Sequence, residues 1–122
     1  MLEAVKTLVK FLMIKRLILL MNEYRSFATE TFKRIYSSLD GRERIWIDKI
    51  KKQLEENPTG KILRFEWFRE KKLHDKRLFY LVDEKNKKIL FVSFATKKDQ
   101  QKIIDFVIEN KDELFSFLKN LS

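Results

Sequence analysis

The amino-acid sequence predicts an α+β fold: a helical hairpin packed on a small antiparallel β-meander, with a C-terminal helix and an extra N-terminal helix. Three observations predict it. Apolar residues recur at helical spacing through residues 28–54. From Lys61 the period falls to two, with short polar turns between the runs. Helical spacing returns after Thr96-Lys97-Lys98-Asp99, which has the form of a capping box. At 122 residues one core is feasible, so the expected organisation is an N-terminal apolar helical extension over 1–22 and one domain over 23–122.

The extension comes first. Leu2, Val5, Val9 and Leu12 repeat at helical spacing, which predicts a helix packed on the domain or on a partner. The apolar run over 11–21 is interrupted by Lys15 and Arg16 and is short for a membrane span, so stable insertion is not expected. No small-residue cleavage site follows it, which argues against a signal peptide. A membrane-surface anchor and a native start at Met21 are further readings of the same segment.

Ala28, Phe32, Ile35, Tyr36 and Leu39 then mark one helix face, with Asp40-Gly41 as its stop. Trp46, Ile47, Ile50 and Leu54 mark a second amphipathic helix, ended by Asn57-Pro58-Thr59-Gly60 because proline forbids continuation. The short link predicts an antiparallel hairpin. Residues 62–67, continuing or bending into 68–73, form the first strand; His74-Asp75 is a turn; residues 76–83 and 88–94 are the next strands. Alternation points Leu78, Tyr80 and Val82 one way and Phe79 and Leu81 the other. It also groups Phe94 with Leu90 and Val92. Both faces of this sheet are apolar, and one hairpin covers only one. The second must be covered by the N-terminal segment, the C-terminal helix or another protein. That last helix carries Ile103, Ile104, Val107 and Ile108, and Asn110 predicts a break in it.

Composition narrows the chemistry. There is no Cys and one His, His74, which removes disulfides, thiol catalysis and Cys- or multi-His metal centres; a cytoplasmic location is expected. No cofactor is expected. The formal charge is +9, and residues 61–98 hold 12 cations against 5 acids. A focused basic patch attracts polyanions, nucleic acid foremost. Arg69 and Lys71 share one strand face, Glu70 and Lys72 the other; Arg77 lies across the hairpin, and Lys97 and Lys98 follow the last strand. Alternation in a meander brings several of these cations to one end of the sheet, where an arginine fork suits a phosphate. Trp67, Phe65, Phe79, Tyr80 and Phe91 offer rings that stack on bases or fill the core.

The ordered set Asn57-Pro58-Thr59-Gly60-Lys61-Ile62-Leu63, Trp67-Phe68-Arg69-Glu70-Lys71-Lys72-Leu73, Lys76-Arg77-Leu78-Phe79-Tyr80-Leu81-Val82, Ile89-Leu90-Phe91-Val92 and Lys97-Lys98-Asp99-Gln100-Gln101 resembles the RelE/ParE toxin superfamily of type II toxin–antitoxin modules. The resemblance spans about residues 24–108. It implies a RelE-like fold and a metal-independent endoribonuclease that cuts messenger RNA in the ribosome. In that chemistry the 2′-hydroxyl attacks the next phosphate and leaves a cyclic phosphate. It implies catalytic roles for Arg69, Lys71, Arg77 and Lys98: Arg77 and Lys98 on the phosphate, Lys71 in proton transfer. Lys61, Arg64, Lys72, Lys76, Tyr80 and Lys97 form the wider RNA-binding set. RNA-cutting members often carry Tyr or His on the following helix; here that place falls near Ile103 and Ile104, and His74 is the one alternative base. The implied partners are an acidic antitoxin, the ribosome and its message, with homodimerisation left open. A catalytically inactive RNA- or protein-binding module of the same fold, or a ParE-like gyrase inhibitor, are the alternative readings.

Overall fold

A computed structural model gives the fold and describes residues 1–21 and 23–122. The boundary expected at residue 22 therefore lies outside the described residues. The elements run α1 (Leu2–Met21), β1 (Arg25–Ala28), α2 (Glu30–Ser38), α3 (Gly41–Glu56), β2 (Lys61–Leu63), β3 (Phe65–Leu73), β4 (Lys76–Asp83), β5 (Lys88–Thr96), a 3-10 turn (Lys97–Asp99), α4 (Gln100–Glu109) and α5 (Lys111–Asn120). The strands form one five-stranded sheet in the order β1-β5-β4-β3-β2.

The meander of β2 to β5 is antiparallel, as its short turns predict. The sheet as a whole is mixed, because β1 adds to it parallel to β5, with Ser26 opposite Ile89. Sequence reasoning missed β1: four residues are too few for a period, and Ala28 fits a helix face equally well. A second correction concerns Asp40-Gly41. Asp40 starts α3 by accepting a hydrogen bond from the Glu43 amide at 2.8 Å, and Gly41 is the first residue of that helix. The first helix ends one residue earlier, at Leu39, in extended backbone. Its start is capped by Thr29, whose hydroxyl accepts from the Phe32 amide at 3.1 Å. Thr96, by contrast, makes no side-chain cap; a 3-10 turn enters α4 instead of the expected capping box. The break expected at Asn110 is present, between α4 and α5.

Each sheet face has its own core. Leu78, Tyr80, Val82, Ile89, Phe91 and Phe94 pack with Phe32, Ile47, Ile50 and Leu54 of the α2–α3 hairpin. On the other face Phe68, Phe79, Leu81, Leu90 and Val92 pack with Ile104 and Val107 of α4 and Leu114 and Leu118 of α5. The C-terminal helices therefore supply the second cover. Burial of each large side chain contributes about 1.5–3 kcal/mol, so both layers are needed for stability. Phe91 and Phe94 point to the same face although they are three residues apart. The register explains this: Tyr80 pairs with Phe91 but Phe79 with Ser93, so β5 carries one extra residue. The expected grouping of Phe94 with Leu90 and Val92 is corrected by that bulge.

The expected helix at the N-terminus exists, but residues 1–17 are all exposed, so this part of α1 does not pack on the domain. At the far end of the chain, buried Lys88 donates to the carbonyls of Leu118 and Lys119 at 3.1 Å each, and to that of Leu121. This ammonium closes the C-terminus of α5, where carbonyls lack helical partners.

Candidate RNA-facing site

The turn before β2 sets the geometry. Gly60 has φ 134°, a conformation open to glycine but strained for other residues. A Cβ there would overlap the Tyr80 hydroxyl, with Glu70 O only 3.1 Å away. The Tyr80 hydroxyl donates to Thr59 O, and burial pushes its pKa well above the usual range. The turn thus lies flat against the sheet and delivers Lys61 opposite Glu70.

Directly opposed residues share a face. Lys72 pairs with Arg77, and Lys61 with Glu70, so these four lie on the α4–α5 face. The end of β5 closes the corner: Arg77 opposes Ala95, and the Lys97 amide donates to Asp75 O at 3.3 Å. Lys61, Lys72, Lys97 and Lys98 are exposed and have no ion-pair partner among the described residues. Arg77 is different. It is 9% exposed, and its Nε lies 3.6 Å from Glu70 Oε1. Gln100 Nε2 donates to the other Glu70 oxygen at 2.8 Å. The corner therefore sets exposed cations beside a buried Arg77–Glu70 pair, with half-buried Gln100 on the same carboxylate. It can hold phosphate oxygens at its rim.

The other expected residues lie elsewhere. Arg69 pairs with Tyr80 and Lys71 with Leu78, which puts both on the α2–α3 face, across the sheet from Arg77. Arg69 donates to Pro58 O at 2.5 Å and Glu66 O at 2.8 Å; Lys71 donates to the Thr59 hydroxyl at 3.1 Å. Both clamp the turn that carries Lys61. Lys76 is on that face too, paired with Glu43 at 2.5 Å. Tyr80 is fully buried, so the expectation that it stacks on RNA is corrected: its hydroxyl anchors the turn. Arg64 is exposed, at the reversal between β2 and β3. Convergence of all four expected catalytic residues thus fails, because Arg69 and Lys71 have the opposite strand parity to Arg77. His74 sits exposed in the β3–β4 turn with φ 53°. Buried Ile104 and half-buried Ile103 occupy the first turns of α4, at the place where RNA-cutting relatives often carry Tyr or His. Sequence reasoning missed Gln100 as a neighbour of the Arg77–Glu70 pair; no local pattern links it to Glu70, 30 residues away.

Among the described residues no group of three His, Asp or Glu side chains is placed to hold a metal ion. Among them, too, no helix is long and apolar enough to cross a membrane.

No protein-family model matches the chain, and no curated protein matches it. Solved structures do. An E. coli RelE toxin mutant in the free state superposes with a TM-score of 0.58 at 18% identity, covering 65% of this chain and 88% of that one. RelBE2, a toxin–antitoxin complex from Mycobacterium tuberculosis, gives 0.54 at 21% identity, with 62% and 99% covered. The archaeal RelE–RelB complex from Pyrococcus horikoshii gives 0.54 at 19% identity, with 62% and 96% covered. The fold of this protein is therefore RelE-like.

Proposed function

We propose that the protein is the toxin of a type II toxin–antitoxin module and a ribosome-associated, metal-independent messenger-RNA endoribonuclease. The carrying observation is the corner of exposed cations, Lys61, Lys72, Lys97 and Lys98, beside Arg77 on a RelE-like fold. Residues 23–122 form the toxin domain and residues 1–22 an N-terminal extension, of which residues 1–17 are exposed. In the reaction a 2′-hydroxyl attacks the adjacent phosphorus, the bond to the 5′-oxygen breaks, and a 2′,3′-cyclic phosphate remains. Lys98 and Arg77 stabilise the charge gathering on the phosphorane oxygens. Lys72, which opposes Arg77 on the same face, takes the proton-transfer role that the resemblance gives to Lys71. Arg69 and Lys71 act at one remove, by holding the turn that presents Lys61. An acidic antitoxin complements the +9 charge and occludes this corner in the cytoplasm.

A second reading is RNA binding without cleavage. One observation favours it: Arg77 is held by Glu70 rather than presented to solvent. Induced expression separates the two. Growth arrest with ribosome-dependent message cleavage and cyclic-phosphate ends, abolished by Lys98→Ala and Arg77→Ala, supports the nuclease. RNA retention with intact messages supports the second reading. Harmless expression of a folded chain that binds no RNA overturns both.

A further inference from the structure

The β2–β3 reversal carries a feature that the basic corner does not use. Leu63 pairs with Phe65, so the chain reverses about the single residue Arg64, whose φ is 57°. A left-handed arginine is uncommon and strained. The reversal leaves Phe65 43% exposed. Its ring is not loose. It stacks on Trp67 with centroids 5.1 Å apart and planes 9° from parallel. Trp67 stacks in turn on Phe68 at 6.1 Å and 20°, and meets Phe115 edge-on at 5.4 Å. Phe68 is fully buried. Three rings thus form a column that is fixed in the core at one end and open to water at the other.

We propose that the outer face of Phe65 is a base-stacking site for single-stranded RNA, with Arg64 and Lys61 holding the flanking phosphates. The proposal rests on the RNA-directed reading above and extends it from the corner to the hairpin tip. A ring held nearly parallel by a neighbour is pre-oriented to take a planar base, and base stacking on aromatics is tolerant of sequence. The charges select the ligand. Arg64 and Lys61 are exposed and have no ion-pair partner among the described residues. A cleft of about 330 Å³ beside Trp67 is lined by Glu66, Asp83 and Glu84 against one lining cation, Lys111, whose ammonium lies 5.2 Å from the Trp67 ring; with Glu84 also 3.9 Å from Arg69, this side offers phosphates less than the Lys61–Arg64 edge, which carries two cations and no lining acid. Along β3, Phe65 and Lys72 are seven residues apart, ~23 Å, a span of a few nucleotides. One strand of RNA reaches from the tip to the corner.

The test is fluorescence anisotropy of the full chain with an unstructured, labelled twelve-nucleotide RNA, at several salt concentrations. Phe65→Ala is expected to weaken binding about 5- to 150-fold, the value of one stacked base, without changing the salt slope. Phe65→Trp retains wild-type affinity. Arg64→Gly relieves the left-handed strain yet lowers the salt slope by about 0.7, one phosphate contact on a single strand. Circular dichroism checks that each variant is folded. RNA affinity unchanged in Phe65→Ala overturns the stacking site, while binding that still falls in Lys98→Ala leaves the RNA-directed reading standing. Loss of antitoxin binding by Phe65→Ala with RNA affinity intact makes the tip a protein contact and likewise overturns it. A wild-type chain that binds no RNA overturns both.

Discussion

Replacing Glu70 by glutamine tests how the basic corner is held. The carboxylate is almost fully buried, 3.6 Å from Arg77 Nε, and accepts from Gln100 at 2.8 Å. Glu70→Gln keeps the shape and an acceptor for Gln100 but removes the charge. At an effective dielectric of about 20, unit charges at that separation attract by ~4–5 kcal/mol. Desolvation of both ions offsets much of this, and Arg77 keeps the Asp75 carbonyl at 3.4 Å. The expected net loss is about 2 kcal/mol, below the ~3–5 kcal/mol typical of broken buried pairs, because 3.6 Å is long for a hydrogen bond. For a chain of 122 residues this lowers Tm by about 8 °C. The same change frees Arg77 for phosphate, so RNA affinity should rise several-fold. Thermal unfolding followed by circular dichroism gives the first quantity and anisotropy the second. A double-mutant cycle with Arg77→Gln should show coupling of ~1 kcal/mol or more. Additive effects, a Tm within about 2 °C of wild type, or weaker RNA binding would refute the argument.

Other predictions concern the scaffold. Tyr80→Phe removes the hydrogen bond to Thr59 O and should cost about 1 kcal/mol in chemical denaturation. Burial raises the Tyr80 pKa in the folded state, so its contribution is complete below about pH 10 and is lost as pH rises beyond that; Tyr80→Phe should flatten this alkaline decline. Part of the slope will survive, because the hydrogen bond to Asp48 raises Tyr36 in the same direction. Lys88→Met removes a donor from two α5 carbonyls, Leu118 and Lys119, and from Leu121 just beyond the helix; about 2–3 kcal/mol should be lost, with faster amide exchange over residues 111–120 than elsewhere. Deleting residues 1–17 should leave Tm within about 2 °C, since all of them are exposed; a larger fall would place them against a core.

The layers of this fold were legible because periodicity reports which face a residue takes. The hairpin from Phe32 to Leu54 and the alternation through β4 needed no tertiary information. The bulge in β5 could not be read: one added residue changes no composition, yet it moves Phe94 from one core to the other. The site was legible only in part, for a related reason. Strand parity alone separates Arg69 and Lys71 from Arg77, but the resemblance grouped all three. The sequence offers Glu66, Glu70 and Asp75 as acids near Arg77 but does not single out Glu70, which lies on a different strand, nor Gln100, which lies on a helix. The reversal at Arg64 was hidden too, since Leu63 to Trp67 lacks the Gly or Asn that normally announces a tight turn.

That α4 and α5 close the second face has a consequence for control. A protein whose interior is finished by its own sequence does not wait for a partner to reach its working shape. A partner that binds such a surface masks it without having to build it, and its departure exposes a finished one.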